Sequence, residues 1–163
     1  MSATDDLLAN NRRYASGFNK GDLAKAPAAG VAIVTCMDAR LDPGRALGLN
    51  EGDAHVIRNA GGVVTDDAIR SLLISQRLLG TTEIVLIHHT DCGMRTFAED
   101  EVTAQIENDT GLRPPFALEA LRDLEDDVRQ SIERVTSSPF IQCKDSVRGF
   151  VYEVETGRLR EVT

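Results

Sequence analysis

The stretch Val31-Ala-Ile-Val-Thr-Cys36-Met-Asp38-Ala-Arg40 constrains this chain most. Its first five residues are apolar or β-branched, which suits a strand covered on both faces. The run then delivers a thiol, a carboxylate and a guanidinium at alternate positions, where that strand should end. In open α/β sheets, ligands bind beyond the carboxyl ends of the strands. The stretch therefore reads as a strand that carries reactive groups to a rim.

A second run, Glu83-Ile-Val-Leu-Ile-His-His89, has the same continuous apolar character and ends in His88, His89, Asp91 and Cys92. Between the two lies the clearest helix, residues 66–79. Thr65 can cap it, Asp66 and Asp67 suit its positive end, and Gly80 can close it. Ile69, Leu72, Leu73, Gln76 and Leu79 share one face. Residues 54–58 form a short strand that runs into the tight loop Asn59-Ala-Gly-Gly62. Strands alternating with helices specify a parallel sheet with right-handed crossovers.

The remaining spacings predict a helix over 4–17 capped by Thr4, a loop over 18–30 and a short helix near 45–49. They predict helix over 94–108 and over 119–135, the latter from Leu121, Leu124, Val128, Ile132 and Val135. Ser137-Ser-Pro139 breaks that helix. A strand over 146–154 then turns through Gly157 into a partner over 159–162, forming a terminal hairpin. The whole is expected to be one domain over 1–163: an N-terminal helical arm over 1–30, a core over 31–95 that carries the site, and helices with the hairpin over 96–163.

The charge balance narrows the function. A formal net charge of −8 argues against a nucleic-acid binder, which would present a basic face. No apolar run approaches the roughly 20 residues needed to cross a bilayer, so no membrane role is expected. The N-terminus lacks the basic and apolar regions of an export signal. Three cysteines are an odd number for a disulfide framework, which raises metal or catalytic roles and points to the cytoplasm.

The groups at the strand ends make a constellation. His89 and Cys92, three residues apart, can face one metal ion across a tight turn. Cys36 from the first strand completes a Cys2His set, the pattern of a catalytic zinc with one open position. Asp38 beside that position can accept a hydrogen bond from bound water. Arg40, two residues on, can hold Asp38 ionised and off the metal. Adjacent strand residues point to opposite faces, so only one of His88 and His89 can serve, and the spacing to Cys92 favours His89.

Cys36-x-Asp38-x-Arg40, Arg58-Asn-Ala-Gly-Gly62 and His89-x-x-Cys92-Gly93 resemble, in order, the three motifs of the β-class carbonic anhydrases. The resemblance covers about residues 30–95, and the chain length is similar to that of a compact bacterial branch. It implies a Rossmann-like three-layer α/β domain, with four parallel strands and an antiparallel edge strand flanked by helices. It implies one Zn2+ per subunit on Cys36, His89 and Cys92, with Asp38 and Arg40 as a catalytic dyad. Asn59, Gly61, Gly62 and Gly93 would line the pocket. It further implies a homodimer that can pair into tetramers, and reversible hydration of CO2 to bicarbonate by zinc-bound hydroxide. With no tryptophan in the chain, the bicarbonate-gated closure of some members is not expected.

Other readings compete. COS or CS2 hydrolysis would use the same site. A non-catalytic zinc or redox protein would need Cys143 as a fourth ligand, yet Cys143 has no His or Cys neighbour in sequence. A phosphate cradle at residues 59–62 is opposed by Asp66 and Asp67, and a tyrosine-phosphatase loop needs arginine where Asp42 stands. His88 is expected to be packed or hydrogen-bonded, His55 structural or at the surface, and Asp91 a turn-capping residue.

Overall fold

A computed structural model of the chain describes residues 2–163. Its strands are β1 (Val31–Cys36), β2 (Ala54–Asn59), β3 (Glu83–His89), β4 (Val147–Tyr152) and β5 (Leu159–Val162). Its helices are α1 (Ala3–Ser16), α2 (Pro43–Leu47), α3 (Asp66–Leu79), α4 (Glu99–Thr110) and α5 (Leu124–Ser137).

The strands form one sheet in the order β2-β1-β3-β4-β5. β1 pairs in parallel with β2 and β3, β3 pairs in parallel with β4, and β5 adds an antiparallel edge. This is the expected mixed sheet. The register sets Thr35 beside Arg58 on one side and Ile87 on the other, and Cys36 beside Asn59. The carboxyl ends of β1, β2 and β3 therefore meet at one rim.

Side chains alternate across the sheet with a period of two. Ala32, Val34, Ile84 and Leu86 face α3 through Ala68 and Leu72, and α5 through Val135. Ile33 and Ile87 point the other way, onto Leu41, Leu47 and Leu49 in and around α2. The layer with α3 and α5 is thick, and the layer with α2 is thin. α3 is capped as its sequence predicts: Thr65 accepts from the Ala68 N–H at 3.3 Å, and Gly80 takes a left-handed φ of 75°.

Four boundaries differ from the sequence reading. α1 is capped by Ser2, not Thr4, through a capping box with Asp5. α1 buries no side chain and is tied to the body where Tyr14 and Lys20 both bond Glu51. The short α2 begins at Pro43, two residues earlier than read, because Asp42 caps it. The helix expected over 94–108 divides into a 3-10 turn over Gly93–Arg95 and α4.

The fourth difference reaches the site. The helix expected from 119 starts at Leu124, because the Asp123 carboxylate accepts the N–H groups of Glu125 and Asp126, each at 3.1 Å. An N-cap must itself be non-helical, so the chain upstream is released from the helix. Glu119 then takes a φ of +61°, and Leu121 turns inward against Cys36, Val63 and Cys92. Leu121 falls on the helical period of α5 yet belongs to a different structure.

Candidate metal centre

Cys36 ends β1, His89 ends β3 and Cys92 follows the Thr90-Asp91 turn. Their donor atoms all lie within 4.8 Å of one another, and all three residues are buried. The two sulfurs are 3.9 Å apart, far beyond the roughly 2.05 Å of a disulfide. The His89 ring is oriented by its own strand end: Nδ1–H donates to the Thr90 carbonyl at 2.8 Å. A carbonyl only accepts, so the proton sits on Nδ1 and Nε2 carries a lone pair. That Nε2 is buried without a hydrogen-bond partner and faces the two sulfurs.

A bare imidazole nitrogen between two thiols is costly unless something accepts its lone pair. The thiols ask for the same thing. The Cys36 thiol is drawn down by the Cys92 S–H beside it, against the cost of burial, with help from His89 and the backbone N–H groups of Asp38 and Gly61. Cys92 is pushed up by Cys36 and by burial. Burial and their mutual contact thus oppose ionising both thiols at once. A dication at their centre repays the second ionisation and satisfies Nε2 together. Two sulfurs and one nitrogen suit zinc and leave a fourth position open.

Asp38 stands beside the three donors, with Oδ2 3.8 Å from His89 Nε2. Both its oxygens are engaged by Arg40. Oδ1 accepts from the Arg40 backbone N–H at 2.9 Å and from Nε at 3.0 Å, and Oδ2 accepts from Nη2 at 2.8 Å. The guanidinium and then the backbone N–H hold the Asp38 carboxyl well below the usual carboxylate range. The i, i+2 spacing thus makes a fork, as the sequence predicts, although β1 has already ended.

The remaining predicted positions divide. Gly62, at φ +69°, packs against the backbone of β1 and β3: a Cβ there would lie 2.8 Å from the Cys36 nitrogen. Gly61 brings its N–H to the Cys36 sulfur, and Asn59 holds the loop through Nδ2–H to the Val63 carbonyl at 2.7 Å. Gly93 is exposed and begins the 3-10 turn. His55 bonds the Ser75 hydroxyl at 2.7 Å, on β2 and away from the cluster. Cys143 is a free thiol outside the cluster, its backbone held by Gln76.

Sequence reasoning missed two residues. Arg58 was visible in a motif without a role. Its guanidinium donates to the carbonyls of Cys36, Asp38 and Leu41 at 2.8–2.9 Å, which fixes the chain that carries the cluster. Leu121 joins Val63 and Met94 as the apolar wall beside the sulfurs.

His88 faces away, fully buried, with Nε2 3.1 Å from the Ser131 hydroxyl on α5. Burial lowers its pKa from 6.5 to about 4. Its folded pKa lies below the unfolded one, so the unfolded chain binds more protons between those values. The contribution to stability is full above pH 6.5 and is lost as pH falls toward 4. We expect His88 to remove about 2 kcal/mol of stability between pH 6.5 and 5. Urea midpoints for wild type and His88→Gln should converge over that interval; parallel pH trends would refute this.

The fold and this cluster define a metal-dependent α/β protein with its centre at the sheet rim, and comparison with known proteins gives its family. The family pattern of carbonic anhydrase matches residues 31–159, and the chain belongs to that family, in its β class. It is 60% identical over 163 residues to β-carbonic anhydrase 1 of Mycobacterium tuberculosis, covering 100% of this chain and 99% of that one. It is 38% identical over 154 residues to a carbon disulfide hydrolase of Saccharolobus solfataricus, covering 79% and 75%. A crystal structure of a carbonic anhydrase from Streptococcus mutans superposes with a TM-score of 0.93 at 46% identity, covering 100% and 99%. The family metal is zinc, which agrees with the Cys2His donors. Among the described residues, no helix is long and apolar enough to cross a membrane.

Proposed function

We propose that the chain is a zinc lyase that hydrates CO2 reversibly, giving bicarbonate and a proton, with Cys36, His89 and Cys92 as the metal ligands. The observation that carries this reading is the Asp38–Arg40 fork set beside a three-donor cluster. Bound zinc supplies the Lewis acidity that makes water a nucleophile near neutral pH. Asp38 accepts the O–H of the reacting water at Oδ2 and so turns a lone pair toward the substrate carbon. Its depressed pKa means that it orients this proton without taking it up. Arg40 keeps both carboxylate oxygens from turning onto the metal. Val63, Met94 and Leu121 give the apolar substrate a dry wall and exclude competing water. Asn59, Gly61, Gly62 and Gly93 shape the loops around this space.

The test is stopped-flow CO2 hydration on protein of measured zinc content. Asp38→Ala is expected to keep about one zinc per chain and lose roughly 100-fold in kcat/KM. Hydration at the wild-type rate by that variant would overturn the role of the fork. The similarity to a carbon disulfide hydrolase supports a second substrate class for the same site, so CS2 and COS belong in the same assay. A homodimer that can pair into tetramers, working in the cytoplasm, completes this reading. Sedimentation of the purified chain as a monomer would overturn the assembly.

A further inference from the structure

We propose that Asp91 is a positioning residue that clamps Arg40 from the side opposite Asp38, and so sets where Asp38 stands. This rests on the functional reading above.

Asp91 is one of two non-glycine residues in the described chain with a positive φ, at +53°. That conformation disfavours most side chains and is tolerated by aspartate, asparagine and glycine. The turn that imposes it is anchored to β4. The Thr90 N–H donates to the Tyr152 carbonyl at 2.9 Å, and the Val154 N–H donates to the Thr90 hydroxyl at 3.0 Å. The left-handed step aims two acceptors of one residue at one guanidinium. Arg40 Nη1 donates to Asp91 Oδ2 at 2.6 Å, and Arg40 Nη2 donates to the Asp91 carbonyl at 2.8 Å.

Arg40 therefore has one edge, Nε and Nη2, on the Asp38 carboxylate and its far side, Nη1 and Nη2, on Asp91. The second anchor matters because the Arg40 side chain is 49% exposed. A long exposed side chain held at one edge can rotate into solvent. Held at both, the planar guanidinium has one orientation, and the carboxylate it grips has one position. The residue between the two ligands of the His89-x-x-Cys92 motif thus links the metal loop to the Asp38–Arg40 segment.

The clamp is exposed, so it is not expected to carry fold stability. Its effect belongs in the motion of Arg40. On zinc-loaded full chain labelled with 15N-arginine, the wild type should show two resolved Nη signals for Arg40, assigned by their loss in Arg40→Lys. Asp91→Asn and Asp91→Gly both suit the backbone and remove the charge. Each is expected to merge the two signals through faster rotation. Each should also lower kcat/KM about tenfold through kcat, with zinc content unchanged. In the Arg40→Lys background, Asp91→Asn should cost less than about twofold.

Resolved Nη signals in both variants would overturn the clamp. So would an undiminished loss in the Arg40→Lys background, which would make Asp91 act through the metal loop, or a fall in zinc content. A wild type without CO2 hydration would defeat the proposed function, and the Nη signals would still decide the clamp.

Discussion

Cys92→Ser is expected to reduce bound zinc from about one per chain to below about a tenth, and CO2 hydration by about a thousandfold or more. Serine has nearly the shape of cysteine, and Cys92 is 3% exposed in a packed cluster with Cys36, Val63 and Leu121. The fold should therefore survive, which separates metal loss from unfolding. What changes is the donor. A neutral hydroxyl replaces a thiolate, and two remaining donors cannot hold a zinc built for three. Even outer-shell partners of metal sites are worth roughly 10–100-fold, so a direct ligand must exceed that. Metal analysis and stopped-flow hydration on the same sample check both numbers. Cys143→Ser is the control. Its thiol lies outside the cluster, so zinc and rate should match wild type, and a loss of zinc there would revive a closed four-ligand site.

Gly62→Ala is expected to cost about 2–4 kcal/mol of stability. Two penalties add. The left-handed φ of +69° costs a non-glycine residue roughly 1–2 kcal/mol. The new methyl would meet the Cys36 nitrogen at 2.8 Å, the Thr35 carbonyl carbon at 2.9 Å and the Ile87 oxygen at 3.0 Å. Those are backbone atoms of two paired strands, so no rotamer change relieves the contact. The loop must lift, and it carries the Gly61 N–H away from the Cys36 sulfur. Zinc affinity should fall with stability. Gly93→Ala meets nothing within 4 Å and should stay within about 0.5 kcal/mol of wild type. Thermal denaturation of the two variants measures the contrast; equal midpoints would refute the packing argument.

Much of the site is legible in the chain because its parts are local. The Asp38–Arg40 fork depends only on a spacing of two. Strand alternation lets only one of His88 and His89 serve, the spacing to Cys92 favours His89, and the structure sends His88 to Ser131 on the far side. The parallel sheet follows from strands that read as doubly buried and alternate with helices.

The misread elements share a physical cause. Leu121 keeps the helical period of α5, and periodicity cannot report that Asp123 delays the start of the helix to Leu124 by accepting its first N–H groups. Arg58 gave no signal of its task, because its three acceptors are carbonyls on another strand and its turn. Asp91 read as a turn residue, which it is, and its grip on Arg40 exists only once two loops share one rim.

The sequence by itself determined the donors, the fork and the fold class, since each rests on residue type and short spacing. Only the tertiary structure decided that Cys36, 53 residues before His89, stands within one coordination sphere of it. The register of β1 against β3 sets that approach, the Gly62 loop keeps the rim tight, and Arg58 and Asp91 hold the groups that the strands deliver.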